Sequence, residues 1–293
     1  MRYLAVVSII SDMNKPRILI TNDDGILAPG IKHLWGSVKS IADPYTVAPK
    51  TEQSGTSVGV SVCKTIHIEA EPWQDNAPAW SVTGTPVDCV KAASSILLPF
   101  TPDLVVSGIN RGSNAGRTVL YSGTVGGTIE ATLRGLQAIA FSSFDHDDTE
   151  YELFTPHITR IISCVLAHPL PPGTLLNVNF PSMQILSALG VSDALGIKLT
   201  RQGKQYWVED HLCHTPFASY FVDAKLKEFE EAEDSDIFWL QRGYIACVPI
   251  HVDELTDWNY VRSLKDQFES QTSSQTHQGA QAQAVVFSPE NGA

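Results

Sequence analysis

Residues 17–25, RILITNDDG, set an apolar run directly against two carboxylates and a glycine. Ile18, Leu19 and Ile20 form an unbroken hydrophobic block, as expected of a central parallel strand buried on both faces. Asn22, Asp23 and Asp24 then emerge at its carboxyl end, where ligand sites of open α/β sheets lie. Two carboxylates about 4 Å apart repel by roughly 4 kcal/mol at an effective dielectric near 20, so the pair needs a cation or a shared proton. A divalent metal is the simplest compensator. An Asx-rich turn capping the next helix is the plainer alternative.

Outward from this stretch, Pro29 precedes Ile31, Leu34, Trp35, Val38 and Ile41, apolar residues at helical spacing with proline at the favoured first position. Tyr45–Ala48 is the next expected strand, and it ends in Pro49 and the polar loop 50–57, KTEQSGTS. The β-branched, partly alternating stretch 58–70 predicts antiparallel excursion strands. Thr85 and Asp88 have the spacing of a capping box, with Pro86 in the first turn of a helix through about Leu98. Residues 102–107, PDLVVS, predict another buried strand, which delivers Gly108, Ile109 and Asn110 to the edge that holds the aspartates. A helix from Thr124, with Val125, Ile129, Leu133 and Leu136 on one face, and a strand at 138–142 follow. Strands alternating with helices imply an α/β fold, a Rossmann-like three-layer αβα domain on a parallel sheet.

Beyond residue 142 the pattern predicts a helix at 156–166, strands at 174–180, 196–200 and 244–250, and a helix through Trp258, Val261, Leu264 and Phe268. The acidic run 227–236 is expected to be a solvated surface. From about Ser270 the chain is polar with no periodic apolar face, so a disordered tail is expected. The resulting division is an N-terminal extension at 1–16, a catalytic domain at 17–269 and a tail at 270–293. Residues 3–10 are apolar but too few to span a bilayer, and Met13 begins a run, MNKPRILITNDDG, with the form of a natural start. Residues 1–12 are therefore read as an extension in preference to an export signal.

A formal net charge of -12 over 293 residues argues against a nucleic-acid duplex or an anionic membrane surface as partner, because both need clustered Lys and Arg. Five cysteines, odd in number and without a C-x-x-C pair, imply buried thiols in a reducing, cytoplasmic compartment. No G-x-G-x-x-G follows a strand and no Walker-type loop occurs. GTSVG at 55–59 matches G-x-S-x-G but leads into a β-branched run where a nucleophile elbow opens a helix. His211, Cys213 and His214 lie close together, yet no second cluster completes a zinc site.

Three strand-to-loop junctions bring up Asp23, Asp24, Ser54 and Asn110. Two carboxylates, a hydroxyl and an amide carbonyl are hard ligands, suited to one Mg²⁺ or Mn²⁺ ion. Residues 121–124, YSGT, stand just before a helix, where outward N–H groups and the helix dipole favour an anion. Ser122 and Thr124 add hydroxyls and Gly123 allows close approach, although an ordinary N-cap explains the same residues. A metal beside an anion nest is the usual equipment of phosphoryl chemistry.

With these residues in hand the chain resembles the SurE family of metal-dependent nucleoside monophosphate phosphatases. The matching stretches are ILITNDDGILAPGI (18–31), EQSG (52–55), GTPVDCV (84–90), PDLVVSGINRGSNAG (102–116), YSGTVGGTIEA (121–131) and, more loosely, RGYIACVPIHVDELT (242–256). The resemblance implies metal ligands at Asp23, Asp24, Ser54 and Asn110, and phosphate contacts at Asn110, Asn114, Ser122, Gly123 and Thr124. It implies a phosphomonoesterase acting on nucleoside 5′- and 3′-monophosphates, in which Asp23 or Asp24 orients a water for in-line attack on phosphorus. It also implies a homodimer or homotetramer, with the hairpin and helix after Ile197 reaching a neighbouring subunit. The chain departs from the family in its longer N-terminus, its loop TEQSGTS at 51–57 where many members carry arginines, and its polar tail. A Mg²⁺-binding receiver-like domain would need an acceptor Asp where the central strand ends in Ser107, Gly108 and Asn110. A catalytically inactive nucleotide-binding module is the other alternative.

Overall fold

The computed structural model describes residues 15–144, 148–215 and 219–272. It divides between Asp253 and Glu254 into two units. The first begins with β1 (Arg17–Thr21), α1 (Pro29–Lys39), β2 (Asp43–Pro49), β3 (Ile68–Ala70), β4 (Ala79–Val82), α2 (Pro86–Ala92) and β5 (Leu104–Arg111). It continues with α3 (Gly123–Leu133), β6 (Ala138–Ser143), α4 (Thr155–Ala167), β7 (Thr174–Phe180) and α5 (Met183–Ala188). The elements β8 (Ile197–Leu199), β9 (Tyr206–Thr215), β10 (Ser219–Lys227), α6 (Asp236–Leu240) and β11 (Ile245–His251) complete it. The second unit holds α7 (Trp258–Thr272).

Nine strands form one sheet in the order β3-β4-β2-β1-β5-β6-β7-β11-β8. Every pairing from β4 across to β7 is parallel. The β3–β4 and β7–β11 pairings are antiparallel. The chain works outward from β1 to β2 and β4, then returns to β5 on the other side of β1, so the strand order reverses between β1 and β5. The crevice at the carboxyl ends of strands around such a reversal is where open α/β sheets bind ligands.

Side chains alternating across the strands separate two apolar layers. Ile18, Ile20, Leu104, Val106, Ile139 and Phe141 pack with Leu34, Trp35 and Val38 of α1 and Ile158 and Ile162 of α4. Leu19, Val105, Ala138 and Ala140 pack with Cys89 and Val90 of α2 and Val125 and Ala131 of α3. This is the expected three-layer αβα arrangement. Its helix starts follow the local chemistry: Pro29 opens α1, and Thr85 and Asp88 form a complete capping box on α2. Past Ala92 the same helix widens into a π turn over Ala93–Leu97.

Several expectations are corrected. Within 58–70 only Ile68–Ala70 is a strand, paired with β4, which the pattern did not anticipate. Residues 58–67 form turns and irregular chain, and the α2 cap binds their middle: Ser61 N–H donates to Asp88 Oδ1 (3.0 Å) and Thr85 Oγ1 to Gly59 O (2.6 Å). Such side-chain bonds compete with a strand ladder and leave Val58, Val60 and Val62 exposed. Leu133 is exposed at the end of α3, which stops before Leu136. The acidic run is not wholly solvated, because Asp236 is fully buried. The helix α7 ends at Thr272, close to the start of the expected tail. Residues 1–14 and 273–293, with the extension and most of the tail placed there, lie outside the described residues. The side chains of His211, Cys213 and His214 lie outside them too.

The strands β9 and β10 form a hairpin that is a sheet of its own, with Tyr206 opposite Lys227 at its base. No helix among the described residues is long and apolar enough to cross a membrane.

Candidate active site

The carboxyl end of β1 turns sharply through Asn22, Asp23, Asp24 and Gly25. Gly25 adopts φ 100°, a conformation that disfavours side chains. Asn22 Nδ2 donates to the Gly25 carbonyl (3.0 Å), and the Gln53 N–H donates to the Asp23 carbonyl (2.7 Å), which draws the loop after β2 against the turn. The Asp23 carboxylate is buried and accepts a hydrogen bond from Thr124 Oγ1. The N–H groups of Gly123 and Thr124 also favour its charged form, yet burial outweighs them and its pKa is raised. Asp24 is half-buried, and burial first and the Asp23 charge second push its pKa up to about 7. The Arg111 N–H, 3.3 Å from Asp24 Oδ2, acts in the opposite direction.

The N-terminus of α3 is thus aimed at Asp23, as the dipole of a helix start favours. Gly123 is required for the approach, since a Cβ there would lie 2.8 Å from Asp23 Cβ and 2.9 Å from its Oδ2. Ser122 is the N-cap, its Oγ accepting from the Val125 N–H (3.1 Å), which leaves its O–H proton for another acceptor. The loop after β2 is bound along α3's entry: Ser57 N–H donates to the Tyr121 carbonyl (3.1 Å) and Ser57 Oγ to that of Leu120 (2.8 Å). Ser54 is exposed on this loop, next to Gln53, and its Oγ donates to Glu52 Oε1 (2.6 Å).

Asn110 stands near the end of β5, one residue before the N–H that binds Asp24, and its Nδ2 donates to the Gly112 carbonyl (2.7 Å). The preceding Gly108–Ile109 peptide is cis. Asn114 lies deeper and engages β6 and β7: its N–H donates to Asn179 Oδ1 (2.8 Å), its Nδ2 to Ser142 Oγ (2.8 Å), and its carbonyl accepts from Asn177 Nδ2 (3.0 Å). Sequence reasoning missed these three supports. The available signal was two amides on one face of an otherwise apolar strand, Asn177 and Asn179 in TLLNVNF. A cavity of about 180 Å³ opens beside Asp24, lined by Ala28, Pro29, Gly30, Glu52, Arg111 and Tyr151.

Two carboxylates that both resist ionisation form a site that a divalent cation would relieve. Among the described residues no group of three or more His, Cys, Asp and Glu could hold a metal ion. The carboxylate oxygens of Asp23 and Asp24 are hard donors, and such donors suit Mg²⁺ or Mn²⁺.

Fold and site together define an α/β domain whose acidic crevice lies at the topological switch point and faces a helix N-terminus. The family model described as survival protein SurE matches residues 18–209, and the chain belongs to the SurE family. A 5′-nucleotidase SurE of Protochlamydia amoebophila is 44% identical over 262 residues, which cover 88% of this chain and 98% of the relative. A 5′-nucleotidase SurE of Flavobacterium psychrophilum is 40% identical over 259 residues, 87% of this chain and 98% of its own. These relatives bear the name of phosphoric monoester hydrolases. The crystal structure of the SurE protein from Aquifex aeolicus superposes with a TM-score of 0.73 at 32% identity, covering 86% of this chain and all of that one.

Proposed function

We propose that this chain hydrolyses nucleoside 5′-monophosphates, and 3′-monophosphates as well, to nucleoside and phosphate. The observation that carries the reading is the Asp23–Asp24 pair at the switch point, with the start of α3 directed onto Asp23. Asp23, Asp24, Ser54 and Asn110 would hold one Mg²⁺ or Mn²⁺ ion. Bound there, a divalent cation supplies Lewis-acid polarisation of a phosphoryl oxygen and counters the charge that builds up in the transition state. Asp23 is kept in one orientation by Thr124, so Asp24, on the open side beside the cavity, orients the attacking water. Asn110, Asn114, Ser122 and Gly123 hold the phosphoryl oxygens, the Ser122 O–H proton left over by the N-cap being available for one of them. Thr124, whose one hydroxyl proton goes to Asp23, acts on the site through that carboxylate. The cavity beside Asp24 has room for part of a nucleoside.

The enzyme is read as cytoplasmic; of its free thiols Cys89 and Cys247 are buried as expected, whereas Cys63 and Cys164 are exposed, a correction to the expectation of buried thiols. It is also read as a homodimer or homotetramer joined through the β9–β10 hairpin, which pairs with no strand of the main sheet. Its substrate is a small molecule, with no nucleic-acid duplex or membrane as partner. Phosphate release from 5′- and 3′-nucleotides should vanish on EDTA treatment and return with Mn²⁺ or Mg²⁺. Nucleotide binding without release at any metal concentration would overturn the reading in favour of an inactive binding module.

A further inference from the structure

The helix α6 begins with a carboxylate that has no exposed surface, Asp236. A buried carboxylate costs several kcal/mol unless hydrogen bonds replace its water. Here Oδ2 accepts from the Gly116 N–H, and Oδ1 from the N–H groups of Gly203 and Ile237, all at 2.8 Å. Gly116 closes the loop that carries Asn114, 120 residues away, and Gly203 opens the turn into β9. The same two segments are bound to each other: Gln202 Nε2 donates to the Gly116 carbonyl (2.7 Å) and the Arg117 N–H to the Gln205 carbonyl (2.7 Å). Glu231 Oε1 takes the next two N–H groups of the turn, from Lys204 (2.7 Å) and Gln205 (3.2 Å). The packing leaves no slack, since a Cβ on Gly203 would lie 2.8 Å from Asp236 Oδ1, and one on Gly116 would lie 2.7 Å from the Gln205 carbonyl oxygen.

We infer that Asp236 is a positioning residue for catalysis, locking the Asn114 loop to the base of the β9–β10 hairpin so that the hairpin sets where the phosphate contacts stand. The inference rests on the phosphatase reading, in which Asn114 touches phosphate. Asn179, Asn177 and Ser142 hold the near end of the loop, and Asp236 with Gln202 holds the far end. In Asp236→Asn one oxygen becomes an NH₂ group facing a backbone N–H, so one of the two ties, to Gly116 or to Gly203, is lost.

The test measures turnover of a nucleoside 5′-monophosphate, inhibition by inorganic phosphate and Mn²⁺ affinity at 20 °C, for the full chain, Asp236→Asn and Gln202→Ala. Asp236→Asn should lower kcat at least tenfold and weaken phosphate inhibition several-fold, with Mn²⁺ affinity held within twofold because none of the proposed ligands lies between 113 and 117. Gln202→Ala, which loses a bond to the same peptide without touching the buried carboxylate, should shift kcat and phosphate inhibition in the same direction by a smaller factor, and it decides the matter if Asp236→Asn does not fold. Variants that only melt earlier, with kcat and phosphate inhibition unchanged, overturn the inference, as does a parallel loss of Mn²⁺ binding, which signals general collapse. Absence of turnover in the unmodified chain refutes the phosphatase reading and this inference with it. Normal turnover in both folded variants refutes the inference alone.

Discussion

Replacing Asp24 by Asn should make the EDTA-treated protein more stable while removing its activity. In the folded chain the Asp24 carboxyl titrates at about 7, against 3.8 when it is free of its surroundings. The folded state therefore holds the Asp24 proton more tightly than the unfolded state does. That contributes stability which is complete below about pH 4 and is lost as pH rises through about 7. A difference of roughly 3 units corresponds to about 4 kcal/mol, at about 1.4 kcal/mol per unit, with partial exposure reducing it toward about 2. Asn cannot ionise, keeps an oxygen for the Arg111 N–H and ends the repulsion with Asp23. In EDTA the variant should exceed the unmodified chain by about 2 to 4 kcal/mol at pH 8, and the gap should close toward pH 5. Urea unfolding at pH 5, 6, 7 and 8 reads this, because the difference between the two proteins cancels the titrating groups other than Asp23, whose own ionisation eases once the Asp24 charge is gone. With saturating Mn²⁺ the order should invert, since ligand binding stabilises the folded state and the variant lacks one of the proposed ligands. A gap that does not change with pH, or a variant less stable at pH 8 in EDTA, would refute the claim that burial and the Asp23 charge strain this carboxylate.

Two further outcomes follow from contacts around α3. Thr124→Val keeps the shape but removes the hydroxyl donor to Asp23, so kcat and Mn²⁺ affinity should both fall about tenfold, and Thr124→Ser should restore most of each; equal activity in the Val and Ser variants would show that the bond is idle. Gly126→Ala places a Cβ against the Ser57 carbonyl oxygen, which should cost about 1 to 3 kcal/mol despite the better helix propensity of Ala, and should displace the loop bearing Ser54; an unchanged melting temperature and kcat would refute the close packing.

What could be read without coordinates was local chemistry. The Ile18–Ile20 block, the Thr85–Asp88 capping box and the alternation of apolar runs with helical spacing each depend on residues a few positions apart. They led to the sheet, the α2 start and the strand end carrying Asp23 and Asp24. The two-layer core follows from the same periodicities. What the sequence could not decide depends on partners far along the chain. Val58–Val62 looks like strand by composition, but the α2 cap takes its Gly59 carbonyl and Ser61 N–H, and the valines stay in solvent. Asp236 closes a run that looks like a solvated acidic face, and only the fold supplies Gly116 and Gly203 as its donors. That the Thr124 hydroxyl donates to Asp23, 101 positions away, is likewise visible only in the fold. Periodicity fixes which faces are apolar, because that signal lies within one element. Whether a polar group is buried and satisfied is set by donors from other elements, and those exist only once the chain has folded.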